Sequence, residues 1–290
     1  MSEPDVDRDL VLLGGLAVQS RRPTDAEVVG VVRAGVERVV QPSMGIDLTW
    51  GTFAAWPGDD LGPGRSDTAR SSLDWEFVAA KAQQAPLESL SVGAQSTAMK
   101  EAFDANPDFD VYDPHVDVAQ VAVDLPPTVA PVGGVTMAVQ MSTWALRAGS
   151  ASDPTALVSW LLESADALDV NSGFVVLGRP PTGGALTSPY EAWAGTLVTE
   201  RDLTRHVWGY GWGTLLSAGH VAALGGVARL RAVGDVTPVG RGRSWVTIGA
   251  DPAAVDLPAL ARLRAVLAPV LAGPGALPPD TDPGPDWYLP

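Results

Sequence analysis

Residues Leu10–Trp56 read LVLLGGLAVQSRRPTDAEVVGVVRAGVERVVQPSMGIDLTWGTFAAW, and this stretch decides the fold class. Leu10–Gln19 is an apolar run of strand length. Pro23-Thr24-Asp25 then announces a helix, with Thr24 as N-cap and Glu27 at the capping-box spacing three residues on. Val28, Val29, Val32, Val36, Val39 and Val40 recur at near-helical intervals and predict one buried face. The helix is expected to stop before Pro42, because proline has no N–H to donate and crowds the preceding turn. Ile46–Trp56 alternates loosely and predicts a second strand. The whole is one β-α-β passage.

Working outward, the same order recurs. Val132–Leu146 is strand-like, and Ser152-Asp153-Pro154 opens a helix whose buried face carries Ala156, Leu157, Trp160, Leu161, Ser164 and Leu168. Asn171-Ser172-Gly173 turns the chain into a buried strand, Phe174–Gly178. The two passages share order but not residues, so they are candidate rather than proven repeats. Further on, the pattern predicts a helix over Ser217–Leu224, strands over Arg229–Val236 and Ser244–Gly249, and a helix over Leu257–Leu271. The expected class is α+β, with mixed or antiparallel sheets flanked by helices.

Pro57–Ser72 and Pro126–Gly134 read as loops, and Gly273–Pro290 holds six prolines. The expected organisation is an acidic α+β half (1–124), a second α+β half (125–272) packed with the first as one unit, and a Pro-rich tail (273–290).

The 290 residues are 46% hydrophobic and carry a formal charge of −15, the composition of a folded acidic protein. The charge is uneven: residues 1–124 hold 21 acidic and 9 basic side chains, residues 125–290 hold 13 and 10. Such a surface repels nucleic acid, whose phosphates need clustered Lys and Arg, and attracts a basic partner. There is no cysteine, so disulfides and thiolate metal sites are excluded. The N-terminus is acidic and its apolar run is short, so no signal peptide is expected; with no apolar stretch of about 18 residues, the expected location is cytoplasmic, away from membranes.

Few constellations carry chemistry. Asp108, Asp110 and Asp113, followed by His115 and Asp117, offer carboxylates in a row, but they lack the central Gly and closing Glu of a calcium loop. They read as an acidic edge, and no metal is expected. Gly209-Tyr210-Gly211-Trp212-Gly213 lacks the G-x-G-x-x-G spacing and the P-loop Lys, so it reads as a turn at the mouth of a helix. His115, His206 and His220 sit in no G-x-S-x-G or H-E-x-x-H context and are read as structural. Of the ten tryptophans, Trp50, Trp56, Trp144, Trp160 and Trp245 read as core. Trp75, Trp193, Trp208, Trp212 and Trp287 lie near Gly- or Pro-rich turns, where packing is the expected role and loop anchoring or binding the alternative. No catalytic residue and no cofactor are expected.

Trp212-x-Thr214-Leu215-Leu216 as the entry into a helix, Leu224-Gly225-Gly226 at that helix's end, then Ile248-Gly249-Ala250-Asp251-Pro252 before a closing helix make an order that resembles the type VI immunity family. Ser172-Gly173-Phe174 stands where that family has a small-residue turn, and the resemblance runs from Val135 to Leu271. It implies a non-enzymatic bacterial protein that binds and neutralises a cognate secreted toxin, including toxins that are nucleases with a basic cleft. An acidic immunity protein would fill such a cleft as a phosphate mimic. The expected toxin-binding residues are Asp104, Asp108, Asp110, Asp113 and Asp117, with Asp59, Asp60 and Asp67 as a second set. The alternatives are a structural or phage-related interaction protein, or an enzyme of unrecognised type.

Overall fold

A computed structural model describes residues 10–55, 69–70, 73–83, 86–105, 117–125, 134–147, 149, 153–178, 201–255 and 257–271. Its ten strands are β1 (Val11–Val18), β2 (Leu48–Ala55), β3 (Ala69–Arg70), β4 (Ser89–Ser96), β5 (Asp117–Asp124), β6 (Val135–Ser142), β7 (Ser172–Gly178), β8 (Gly213–Leu216), β9 (Asp235–Val239) and β10 (Arg243–Thr247). All join one sheet in the order β3-β2-β4-β5-β6-β1-β7-β8-β10-β9. Every neighbouring pair is antiparallel. The fold is α+β.

The helices are α1 (Asp25–Gly35), α2 (Trp75–Ala82), α3 (Thr97–Ala105), α4 (Thr155–Leu168), α5 (Ala218–Ala223), α6 (Val227–Arg231) and α7 (Leu257–Leu267). Thr24 caps α1 as its sequence predicts: its Oγ1 accepts from the Glu27 N–H, and the Glu27 carboxylate accepts from the Thr24 N–H. Arg21 grips the same carboxylate with two N–H groups at 2.8 and 2.6 Å. That Arg21 contact, joined by the cap, holds the Glu27 pKa down to about 2.

Both β-α-β passages exist, and they interlock. β1 lies between β6 and β7, the two strands of the second passage, and pairs with both over nearly its full length. Two antiparallel steps separate β6 from β7 and four separate β1 from β2, so each passage joins strands of like direction that never touch. The division at residue 124 cuts the chain but not the sheet.

The sheet has two unlike faces. On the first, Leu12, Leu16, Val92, Val121, Val139, Val175 and Leu215 form one continuous core with Val28, Val32 and Val36 and with Leu157, Trp160 and Leu161. The Trp160 indole N–H donates to the Val31 carbonyl at 3.0 Å, tying α4 to α1 inside that core. On the second face, Leu13, Ala17, Phe174 and Val176 lie under Leu203 and Trp208. Leu216 and Val246 continue that face beneath α5, α6 and α7. Across β4 and β5 the same face carries Ser89, Ser91, Gly93, Gln95, Gln120 and Ala122, all partly exposed; on β6 Gln140 is partly exposed while Thr136, Ala138 and Ser142 are buried.

Three local expectations are corrected. Helix α1 does not stop before Pro42; it widens into a π segment over Val36–Val40 and ends with the turn Gln41–Ser43. There the Gln41 N–H reaches back five residues to the Val36 carbonyl, and the wider turn accommodates the proline ring. Thr214-Leu215-Leu216 is a strand rather than a helix entry, with Thr214 and Leu216 on one face and Leu215 on the other. The stretch expected as a strand from Arg229 instead begins as α6. Gly225 and Gly226, both at positive φ, end α5 and let the chain restart as a helix before β9. Trp208 and Trp212 pack in the core, as expected, and Trp208 meets Phe174 edge-on at 5.0 Å.

Among the described residues no helix is long and apolar enough to cross a membrane.

Candidate functional site

Helix α4 ends at Leu168, and Asp169 follows in the left-handed conformation (φ 60°, ψ 50°), the position a helix usually gives to glycine. Val170 and Asn171 then lead into β7. The Asn171 side-chain oxygen accepts the N–H groups of Gln19 at 2.7 Å and Ser20 at 3.3 Å, fastening the end of β1. Opposite stands the β9–β10 hairpin, Gly240-Arg241-Gly242, with positive φ at Arg241 (61°) and Gly242 (74°). The Arg243 N–H points back to the Gly240 carbonyl, giving the type I′ turn that matches the twist of paired strands.

Asp169, Asn171, Thr204, Ser217, Arg241 and Arg243 line a cleft of about 260 Å³ between these elements and the start of α5. Arg243 is the rigid part, its side chain only 2% exposed. Its Nε donates to the Gly240 carbonyl at 2.9 Å, Nη1 to the Ala165 carbonyl at 2.8 Å, and Nη2 to Asp166 at 3.0 Å. Burial lowers its pKa from the ordinary arginine value, while Asp169 and Asp166 oppose that shift. Arg241 is the open part: it touches Asp169 at 3.0 Å, and 56% of its side chain remains exposed.

Behind the cleft wall, His220 is fully buried on α5. Its Nδ1 accepts the Ser217 N–H at 3.3 Å, and Ser217 Oγ accepts the His220 N–H at 3.2 Å, a capping box with histidine in the usual place of glutamate. Its Nε2 is buried without a hydrogen-bond partner. Desolvation, with a smaller push from His206, lowers its pKa to about 4. The imidazole is therefore neutral and holds a helix start together. Asp202, in the adjoining loop, accepts both the hydroxyl and the N–H of Thr204 at 2.6 and 3.0 Å, and the first of these chiefly lowers its pKa.

Of the acidic residues read from the sequence, Asp104 and Asp117 are among the described residues, and neither lines the cleft. Asp104 belongs to α3, which leaves β4 at Ser96; Asp117 opens β5 and pairs with Gln95 beside an irregularity in the register. Asp108, Asp110, Asp113 and His115 lie outside the described residues, as do Asp59, Asp60 and Asp67. Among the described residues no three His, Asp or Glu side chains gather as a metal site would require. The Gly209–Gly213 turn is packed rather than open: Tyr210 and Trp212 are buried, and a Cβ on Gly211 would strike Val176. The cleft went unremarked in the sequence because its residues come from four separate segments. Its one local signal was Gly240-Arg241-Gly242-Arg243, a tight turn carrying two cations.

No family model matches this chain, and no curated protein matches it. Among solved structures, the Pseudomonas aeruginosa T6SS protein PA0821 has a similar fold, with a TM-score of 0.57 and 15% sequence identity. The likeness covers 96% of this chain and 81% of that one. At this identity it speaks to the fold alone.

Proposed function

We propose that this chain is an immunity protein of a type VI-like system, binding a secreted antibacterial toxin and blocking its active site. The observation that carries this reading is the likeness to a T6SS protein over 96% of the chain, first half included. The sequence resemblance to the type VI immunity family reached only the second half. An acidic first half (21 acids against 9 bases) adds long-range attraction for a basic partner such as a nuclease toxin. Asp104 on α3 and Asp117 at the start of β5 are the described members of the proposed contact face.

The test is co-expression. A toxin-like reading frame encoded beside this chain is induced in a host cell with and without it, and complexes are then purified. Growth rescue together with a stable complex is the expected result. Toxicity unchanged by this chain, with no complex, would remove the immunity reading and leave shared architecture only. If rescue holds, reversing Asp104 and Asp117 to Lys should weaken binding about tenfold or more at low salt and less at high salt.

A further inference from the structure

Among the described non-glycine residues only Asp169 and Arg241 adopt positive φ, and the two side chains meet each other at 3.0 Å. Each sits where glycine or asparagine would be comfortable, one just past a helix end and one inside a type I′ turn. An L-residue with a full side chain pays about 1 kcal/mol or more for that conformation. Two such residues, facing each other across the same cleft, point to a use for their side chains beyond the turns themselves.

The donors in the cleft outnumber the acceptors. Arg243 has each of its three nitrogens engaged, so its charge is fixed in the wall. Arg241 is held at one corner only and offers its remaining N–H groups outward. Asn171 has its oxygen fixed by two backbone N–H groups, which leaves its amide N–H₂ as the end available to a ligand. Ser217 Oγ accepts from His220 and keeps its own proton to give. Asp169 in the lining and Asp166 behind it balance the charges of Arg241 and Arg243, so what stays open is hydrogen-bond donors. The unengaged donors of Arg241, Asn171 and Ser217 call for a group that accepts several hydrogen bonds. At about 260 Å³ the space is smaller than a typical drug-sized pocket of about 300–1,000 Å³, and suits a group of side-chain size.

We infer that this cleft is a receptor for a single carboxylate, read by Arg241 with support from Asn171 and Ser217. A guanidinium offers a carboxylate two parallel N–H groups, and Asp169 holds Arg241 in place for that geometry. The carboxylate comes either from a free small acid or from an acidic side chain or C-terminus of a protein partner. The inference stands apart from the immunity reading.

Arg241→Asn tests it cleanly. Asn-Gly is the preferred pair in a type I′ turn, so the variant relieves the turn while removing the reader. Thermal unfolding of both proteins is followed against succinate, with sodium chloride matched for ionic strength. The wild-type midpoint should rise by about 2 °C or more at saturating succinate, and that of Arg241→Asn should not move. Without succinate the variant should melt within about 2 °C of wild type. No rise in wild type, or an equal rise in both proteins, would overturn the assignment.

The source follows from the same titration. Saturation below about 1 mM identifies a free small acid as ligand. Saturation only above about 10 mM, with co-purification of the co-expressed toxin reduced at least tenfold in Arg241→Asn, identifies a protein-borne carboxylate. Rescue by wild type with no succinate response would sink this cleft and leave the immunity reading intact. A succinate response without rescue would do the reverse.

Discussion

The second face of the sheet is treated in two ways. Over β1, β7, β8 and β10 it is sealed: Phe174, Val176, Leu216 and Val246 are buried under the 201–212 segment and three helices. Over β4 and β5 it shows serine, glycine, glutamine and alanine, all partly exposed, with β6 at the boundary, Ala138 under the cover and Gln140 partly exposed. The first face is aliphatic across both regions. The difference teaches that the first-face core holds the sheet together throughout, while the second-face cover is an addition of the C-terminal half. That cover depends on close backbone approach. A Cβ on Gly15 would lie 2.6 Å from Trp208 and 2.7 Å from Phe174, so the aromatic pair rests directly on the bare β1 backbone.

Installing the same side chain in both regions should break them apart. Gly15→Val puts two methyl groups into the aromatic pair, and should cost at least about 3 kcal/mol in chemical denaturation. A loss below about 1 kcal/mol would mean the cover shifts freely and is not packed as described.

Acid should sharpen the contrast next. His220 closes the start of α5 as a neutral, buried imidazole with a folded pKa of about 4. In the unfolded chain it titrates near 6.5, so between those values the unfolded state binds more protons. Its contribution is complete above about pH 6.5 and fades as pH falls toward 4, by roughly 2–3 kcal/mol. His220→Gln should flatten that slope in urea melts at pH 7.5 and 4.5. Hydrogen exchange should show α5 loosening in acid before α1 and α4 do; simultaneous opening of all three would count against a separate cover.

The smallest effect is expected on the open region. Ser91→Val removes the hydrogen bond from Gln120 and adds a strand-favouring side chain, leaving stability within about 0.5 kcal/mol. A large loss there would reveal packing on the open face.

The same contrast explains what the sequence disclosed. β4 reads Ser-Leu-Ser-Val-Gly-Ala-Gln-Ser with every second residue buried, and alternation of that kind is legible. β1, buried at all eight positions, reads only as an apolar run, so its central place was hidden. The capping box at Thr24 and Glu27 was legible because its partners are three residues apart. The cleft was not, because Arg243 and Asp166 are 77 residues apart and only the fold brings them together. Leu215 and Leu216 looked helical because adjacent leucines do not show that they face opposite sides of a strand. The acids between Asp104 and Asp117 were read from charge, which names a partner's sign without giving the geometry of contact.

The position of β1 has a consequence for synthesis. It precedes every other described strand in the chain, and both its neighbours, β6 and β7, come from the second half of the sequence. Its partners are complete only when Gly178 has emerged, roughly ten to thirty seconds after Val18 at ordinary elongation rates. During that interval an eight-residue strand, apolar on both sides, has no native place to go. Newly made chains therefore carry an exposed, aggregation-prone segment through that interval, and production of this protein should depend on chaperones that hold β1.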